Sequence, residues 1–445
     1  MSATALLFVL VFAAGSLLAF ARHPIYGLMT YVGVFYVHPP SRWWGQGVLL
    51  DVRWSLLAAA VTIVAMLVRK PPEGAAPVLR SGALWGFVVL VVWVALQSFW
   101  ALDQEAHADL LSNYLKFILV ILMVVRCVDS EQHLRYFLWT HVAGCFYLGW
   151  LAFTSYSGGR LDGVGGPGIN EANAAALQMV TGILVAGSLF LAGNLRSRAV
   201  LLALIPIMVN GLVATISRSG FLAAAVGGVV YNLLTPARYR RSVRLLSVLA
   251  LVLFAALTND VYWDRIGTIK HAGEQVEGVD TGGGRLEIIE AQWRMFAARP
   301  LGCGHMCTGV LSPSYIEEKF LTNGARASHN TFMTMLVDHG IVGGVFYVLM
   351  LVWAFRSLLT IAERVKGQER FLASALPGIA AVFAAITIGD VFVQYPKFEA
   401  RIWFISLLTV MLHLSAKVDA RMPPIERRPV ITPGSVQENP GGSIG

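Results

Sequence analysis

The sequence predicts an all-α integral membrane protein of about twelve transmembrane helices with one long external loop. Three observations predict it. Of 445 residues, 56% are hydrophobic and only 13% are charged, about half the charged fraction of an ordinary soluble domain. Mean hydropathy is +0.64, and nearly uncharged runs such as Ala83–Leu96 and Leu201–Thr215 recur along the chain. Lys and Arg gather in the connections between those runs. The net charge of +8 therefore reports loop orientation in a bilayer, not nucleic-acid binding.

A helix needs about 20 apolar residues to cross the hydrocarbon. Segments 3–21, 53–68, 82–99, 109–126, 134–155, 171–192, 198–216, 219–235, 243–258, 329–356, 371–392 and 399–415 meet or approach that length. The first has no basic leader or clear cleavage site, so it reads as a retained span and not a signal peptide. Ile25–Val37 is fenced by Pro24 and Pro39-Pro40. At about 1.5 Å per residue it is too short to cross, and residues 24–40 read as a half-crossing or interfacial piece. Connections 69–80, 126–135, 193–198, 236–244 and 356–370 and the tail from 415 hold 19 of the 34 Lys and Arg. That bias assigns them to the cytoplasm. Arg22 dissents, since it favours an outside N-terminus and a thirteenth crossing.

The resulting plan has helices one to nine in residues 1–258, an external loop over 259–328, three more helices in 329–415 and a disordered cytoplasmic tail over 416–445. Within the loop, Arg285–Ala298 follows Gly282-Gly283-Gly284 and is closed by Pro300. Leu286, Ile289, Trp293 and Phe296 share one face there, the pattern of an amphipathic helix at a membrane surface.

The residues that carry chemistry lie on the outer side. His329-Asn330 opens the tenth span, and Gly340-Ile341-Val342-Gly343 follows nine residues later. On a continuous helix, eleven residues turn through about 1100°. Gly340 is then expected beneath His329, with Gly343 beside it offering a neighbouring helix a close approach. His329 projects at the boundary, where an imidazole can act as a base near neutral pH. The plainer alternative is an interfacial histidine above glycines that only pack. Asp338 and His339, deeper in the span, require buried partners.

Arg218, in Ser217-Arg218-Ser219-Gly220, and Arg285, opening the surface helix, are outer arginines against the inside bias. Guanidinium groups suit a leaving diphosphate, although a boundary arginine can equally snorkel. Arg160, Arg265, Arg326 and Asn330 are further candidates for phosphate or sugar contact, and Asn170, Glu171 and Asn173 begin a span on the same side. Asp103, Glu105, His107 and Asp109 offer hard-cation ligands but read better as a solvated helix start. Cys303-Gly304-His305-Met306-Cys307 lacks a fourth zinc ligand; a disulfide and free thiols both fit. No metal or cofactor is expected.

These motifs together resemble the O-antigen ligase and O-antigen polymerase superfamily, in particular the O-glycosylation ligases associated with exosortase systems. The resemblance rests on His329-Asn330-x9-Gly340-x-x-Gly343 after a long external loop, on Ser217-Arg218-Ser219-Gly220, and on Arg285, Trp293, Pro300, Gly302 and Gly304. It covers roughly residues 150–350; the N-terminal third matches mainly in hydropathy. It implies a GT-C-like glycosyltransferase architecture in a bacterial inner membrane, with the active site facing the periplasm. It implies transfer of a polysaccharide from undecaprenyl diphosphate to a lipid A–core sugar hydroxyl, with His329 as base and Arg218 and Arg285 on the diphosphate. Direct displacement would invert the anomeric centre without a metal. A polymerase with a second lipid-linked repeat as acceptor, or a protein O-oligosaccharyltransferase, would share this chemistry. A secondary transporter or lipid flippase is the reading of a different class. Against it stand the lack of an internal repeat and the outer placement of the Arg and His candidates.

Overall fold

A computed structural model describes residues 2–69, 76–155, 159–258, 260–267, 285–321, 324–368, 370–394 and 396–419. Gly282-Gly283-Gly284 and the tail beyond 419 lie outside the described residues. Helices account for 81% of the described chain, and no β-strand occurs among the described residues.

Ten helices come first: α1 (Ala3–Ala21), α2 (Ile25–Val37), α3 (Trp54–Val68), α4 (Gly82–Gln97), α5 (Gln104–Cys127), α6 (Glu131–Ser155), α7 (Ala172–Ala192), α8 (Leu195–Ala214), α9 (Arg218–Leu234) and α10 (Arg240–Leu257). The described residues of the long loop hold α11 (Asp260–Gly267), α12 (Arg285–Ala298) and α13 (Cys307–Tyr315). The chain ends with α14 (Thr331–Val365), α15 (Phe371–Phe392) and α16 (Glu399–Asp419). Polar residues bounding the apolar runs start many of these helices. Ser2, Ser81, Asp103, Asn194, Ser217 and Asn330 each accept a first-turn backbone N–H, which satisfies a donor the helix cannot.

Eight described helices are long and apolar enough to cross a membrane, and α3, α4 and α9 are shorter apolar helices. The chain is a multi-pass membrane protein. Its centre is α15, buried along most of its length against α7 and α9. Small residues permit that approach, as membrane packing requires. A side chain at Gly378 would collide with Ser188, and one at Gly227 would press on Ala381 and Ala385. At the periphery, α1 and α10 leave Leu6, Leu10, Leu17, Leu245 and Leu249 exposed, a surface suited to lipid.

The basic connections share one end of the bundle. Arg69 donates to the carbonyls of Phe20 and Ala21, and Arg126 donates to that of Arg69. Arg370 pairs with Glu131, and Arg238 donates to the Gln368 carbonyl. The expected half-crossing at 25–37 forms α2. α2 starts at that basic end, where His23 bonds Asp129 at 3.0 Å. It finishes at the opposite end, where Arg42 donates to the Val164 carbonyl at 2.9 Å. Arg22 sits with the other basic turns, its carbonyl accepting from Arg69.

Asp129 clamps this corner. Its carboxylate accepts from His23 Nε2 at 3.0 Å and His133 Nδ1 at 2.7 Å, with the two rings stacked. Among the described residues this is the one His/Cys/Asp/Glu trio close enough to hold a metal ion. Its hydrogen bonding suits a proton better. The Ile25 N–H donates to His23 Nδ1 at 3.1 Å, so the neutral ring carries its proton on Nε2, facing Asp129. Burial opposes the charge of Asp129, but the hydrogen bonds and charges of His133 and His23 outweigh it and hold the carboxyl well below the usual range. A depressed carboxylate stabilises the fold above its unfolded pKa of about 3.9, and that contribution fades as pH falls through the folded value. Asp129→Asn is expected to cost about 1.5–3 kcal/mol, read as a lower Tm in detergent that persists from pH 8 to pH 5. An unchanged Tm would remove the clamp from the account.

Candidate functional site

At the end opposite the basic turns, the chain gathers several of the residues singled out by sequence. Asn173, in the first turn of α7, accepts from Arg160 Nη2 at 3.0 Å and from the Ser217 hydroxyl at 2.8 Å. Ser217 caps α9, and the half-buried Arg218 is the next residue. The loop is stitched to the helices by Leu161 N–H on the Ala214 carbonyl and by Asp162 accepting from the Ala172 N–H. Arg160, exposed, and Arg218 therefore flank one asparagine. Lys397, half-buried beside Gly168, joins this end. Burial lowers its pKa, and the charge of Asp109 opposes that shift.

His329 sits at the same end. Gly389 of α15 lies against Leu177 of α7, one turn before Val393, whose carbonyl accepts from the Thr331 hydroxyl at 2.7 Å. The residues around His329 are tied from several directions. Ser328 accepts from Gln292 Nε2 at 2.7 Å, donates to the Asn330 carbonyl at 2.9 Å, and its N–H reaches Gln394 at 3.3 Å. Asn330 accepts from the Met333 N–H at 3.0 Å and so caps α14. The Arg326 N–H donates to Ser312. Between these anchors His329 is exposed, with φ +49°. A left-handed backbone at a non-glycine residue costs energy and tends to mark a functional turn.

The expected stacking of His329 above Gly340 on one continuous helix is therefore corrected. His329 precedes the helix, and α14 breaks at Gly340, where φ is +63° and ψ −161°. Gly343 is corrected too. A Cβ there would strike His339 and the Met335 carbonyl of its own helix, so it accommodates the break and does not seat a neighbouring helix.

The break is filled by the external loop. The Ile341 N–H donates to the Pro300 carbonyl and the Gly304 N–H to that of Asp338, each at 2.9 Å. Trp93 Nε1 donates to the His339 carbonyl at 2.8 Å. Backbone groups released by a break at membrane depth must find partners, and here the loop and α4 provide them. Gly302, φ +76°, is pressed against Asp338 and Gly340, where any Cβ would fall within 2.5 Å of backbone. Below the turn, Asp338 accepts from His305 Nδ1 at 3.2 Å and from the Met306 N–H at 3.1 Å. Cys303 and Cys307 are paired as a disulfide.

Against the protein, the surface helix α12 buries a face other than that of Leu286 and Trp293. Ile288, Ala291, Gln292 and Met295 are buried, packed with Cys303, Cys307, Ile316 and Val337, while Leu286 and Trp293 are exposed. Arg285 opens α12 and Arg265 lies in α11; both side chains lie outside the described residues. The acidic set of α5 does not converge. Asp103 caps the helix, Glu105 and Asp109 are exposed, and His107 turns inward to the Val94 carbonyl and the His305 N–H.

Several polar residues outside the motifs also lie here. Arg401 pairs with Asp390, which also accepts from the Tyr347 hydroxyl, joining α16, α15 and α14 in a buried network. Gln97 and Gln292 are fully buried links between the loop and the helices. A polar residue in an apolar run was the available signal for Gln97, Asp390 and Arg401. No curated protein matches the chain. Residues 201–348, which run from α8 through the break in α14 and include Arg218, Arg285 and His329, match the O-antigen ligase family, which supports the resemblance drawn from the motifs.

Proposed function

We propose that this protein transfers a polysaccharide from undecaprenyl diphosphate to a sugar hydroxyl of lipid A–core at the periplasmic face of a bacterial inner membrane. One observation carries the reading. Within the ligase-family region, an exposed histidine on a braced, left-handed turn shares one end of the bundle with the Arg160–Asn173–Ser217-Arg218 array. His329 takes the proton of the acceptor hydroxyl as its oxygen attacks the anomeric carbon. The bond to the diphosphate breaks, and negative charge grows on the leaving group. Arg218, with Arg160 nearby, stabilises that charge, and Arg285 adds its own charge at the N-terminus of α12. Arg265, Arg326 and Asn330 are secondary candidates for holding sugar or phosphate. A single displacement inverts the anomeric centre, and guanidinium groups replace a metal in neutralising the leaving group. The basic end, with the C-terminus, faces the cytoplasm.

The test is the purified chain in nanodiscs with lipid-linked polysaccharide and lipid A–core. A new covalent glycolipid is expected, together with released undecaprenyl diphosphate. Product only with a second lipid-linked glycan, or only with a protein, would reassign the chain to a polymerase or a protein transferase. Absence of product with every acceptor would return attention to transport. Arg218→Lys is expected to lower transfer at least about tenfold, because an ammonium cannot make the bidentate contact. Full activity of that variant would argue against the diphosphate role.

A further inference from the structure

We infer that Gln97, at the last turn of α4, is a positioning residue for His329, acting by seating the external loop in the break of α14; this rests on the transferase reading above. The side chain is fully buried and touches three separate pieces of chain. Its Nε2 donates to the Leu301 carbonyl at 3.0 Å and the Asp338 carbonyl at 3.1 Å. Carbonyls only accept, so these two contacts fix which way the amide faces. Oε1 is then left toward His339 Nδ1 at 2.7 Å, and that nitrogen carries the proton. One amide thus joins α4, the Pro300–Gly304 turn and the unwound turn of α14, and satisfies two carbonyls at the break.

From that seat a connected path leads to His329. The turn continues through the Cys303–Cys307 disulfide into α13. Two residues of α13 hold what precedes the histidine. Thr308 accepts from Gln292 at 3.1 Å, and the same Gln292 amide donates to Ser328 at 2.7 Å. Ser312 accepts from the Arg326 N–H at 2.8 Å. Ser328 closes the path on the Asn330 carbonyl. The exposed imidazole takes its placement from neighbours that are themselves placed by the docked loop. Gln97 lies outside the region matching the ligase family and makes no contact that would recruit a substrate.

Misplacing a reacting group by about 1 Å can cost a hundredfold in rate. Two variants separate positioning from general stability. Gln97→Glu keeps an acceptor for His339 but removes both donors, and Gln97→Met removes every hydrogen bond at similar volume. In nanodiscs, each is expected to raise amide exchange at 301–304, at 338–341 and, at a distance, at 326–331, with α6 and α7 unchanged. Each is expected to lower kcat by about ten- to a hundredfold, with the KM for the lipid-linked donor within about twofold. Protection at 326–331 that matches the unsubstituted protein would overturn the positioning role, whether or not that protein transfers glycan. A variant that exchanges faster at 301–304 yet retains kcat would likewise show that the seat does not position His329. Failure of the unsubstituted protein to transfer to any acceptor would instead count against the transferase reading, leaving the exchange result to decide the seating.

Discussion

Replacing His329 by Ala is expected to abolish glycan transfer while the protein still assembles and purifies as before. The side chain is exposed, so its removal leaves no cavity in the bundle. The anchors on either side are made by Ser328, Asn330 and Thr331, and none of them needs the imidazole. A positioned general base contributes about 10²–10⁴ in rate, so residual transfer should fall to or below a hundredth. The backbone supplies a control. At φ +49°, glycine is more comfortable than alanine, and His329→Gly should therefore be at least as stable as His329→Ala, by up to about 1 kcal/mol. If the imidazole is the base, both variants are equally inactive. If the strained turn were the essential feature, the two would differ in activity as they differ in stability. Transfer near the unsubstituted rate in either variant would end the assignment.

The sequence made the helices legible because lipid-facing and core-facing segments alike must be apolar, so their ends are marked by charge. α1 and α15 could be bounded from hydropathy alone. At α2 the same rule reports length but not contacts. Its length suggests a segment too short to cross, but its ends are held by His23–Asp129 and Arg42–Val164, pairs separated by 106 and 122 residues. No local pattern reports such contacts.

The site was legible as a set of residue types and not as a geometry. Outer arginines and a boundary histidine stand out because charge is scarce in this chain. Their relation does not, since Asn173 joins Arg160 to Ser217 across 13 and 44 residues. Apart from Asp338 and His339, apolar and small residues run on through Gly340, so periodicity gives a continuous helix, and the break depends on a loop about forty residues upstream. For α12, ranking by hydropathy favoured Leu286 and Trp293. The face buried against the protein instead carries Ala291, packed in the loop's apolar cluster, and Gln292, which donates to Ser328.

That break makes Gly340→Ala the substitution with the largest structural effect expected in this protein. An added Cβ would lie 2.3 Å from the Leu301 carbonyl carbon, 2.5 Å from the Pro300 oxygen and 2.6 Å from the Gly302 nitrogen. All three are backbone atoms, so no side chain can rotate away. The conformation itself, φ +63° with ψ −161°, is open essentially to glycine alone. Alanine would have to straighten α14, which closes the seat of the loop. It would then strand the carbonyls of Pro300 and Leu301 and bury Asp338 without its contacts to His305 and Met306. The strain is about 1–3 kcal/mol, and each stranded group adds about 1–3 kcal/mol. Loss of monodisperse protein in detergent, or a large fall in Tm with no transfer, is expected. Gly344→Ala is the matched control four residues on. There the nearest atom to a new Cβ is Leu336 Cδ1, at 2.9 Å, the far end of a flexible side chain that can turn aside. Gly344→Ala should keep most of its stability and activity. Equal behaviour of the two variants would mean that α14 does not need its break, and that the loop is held to the bundle by something other than the seat at Gly340.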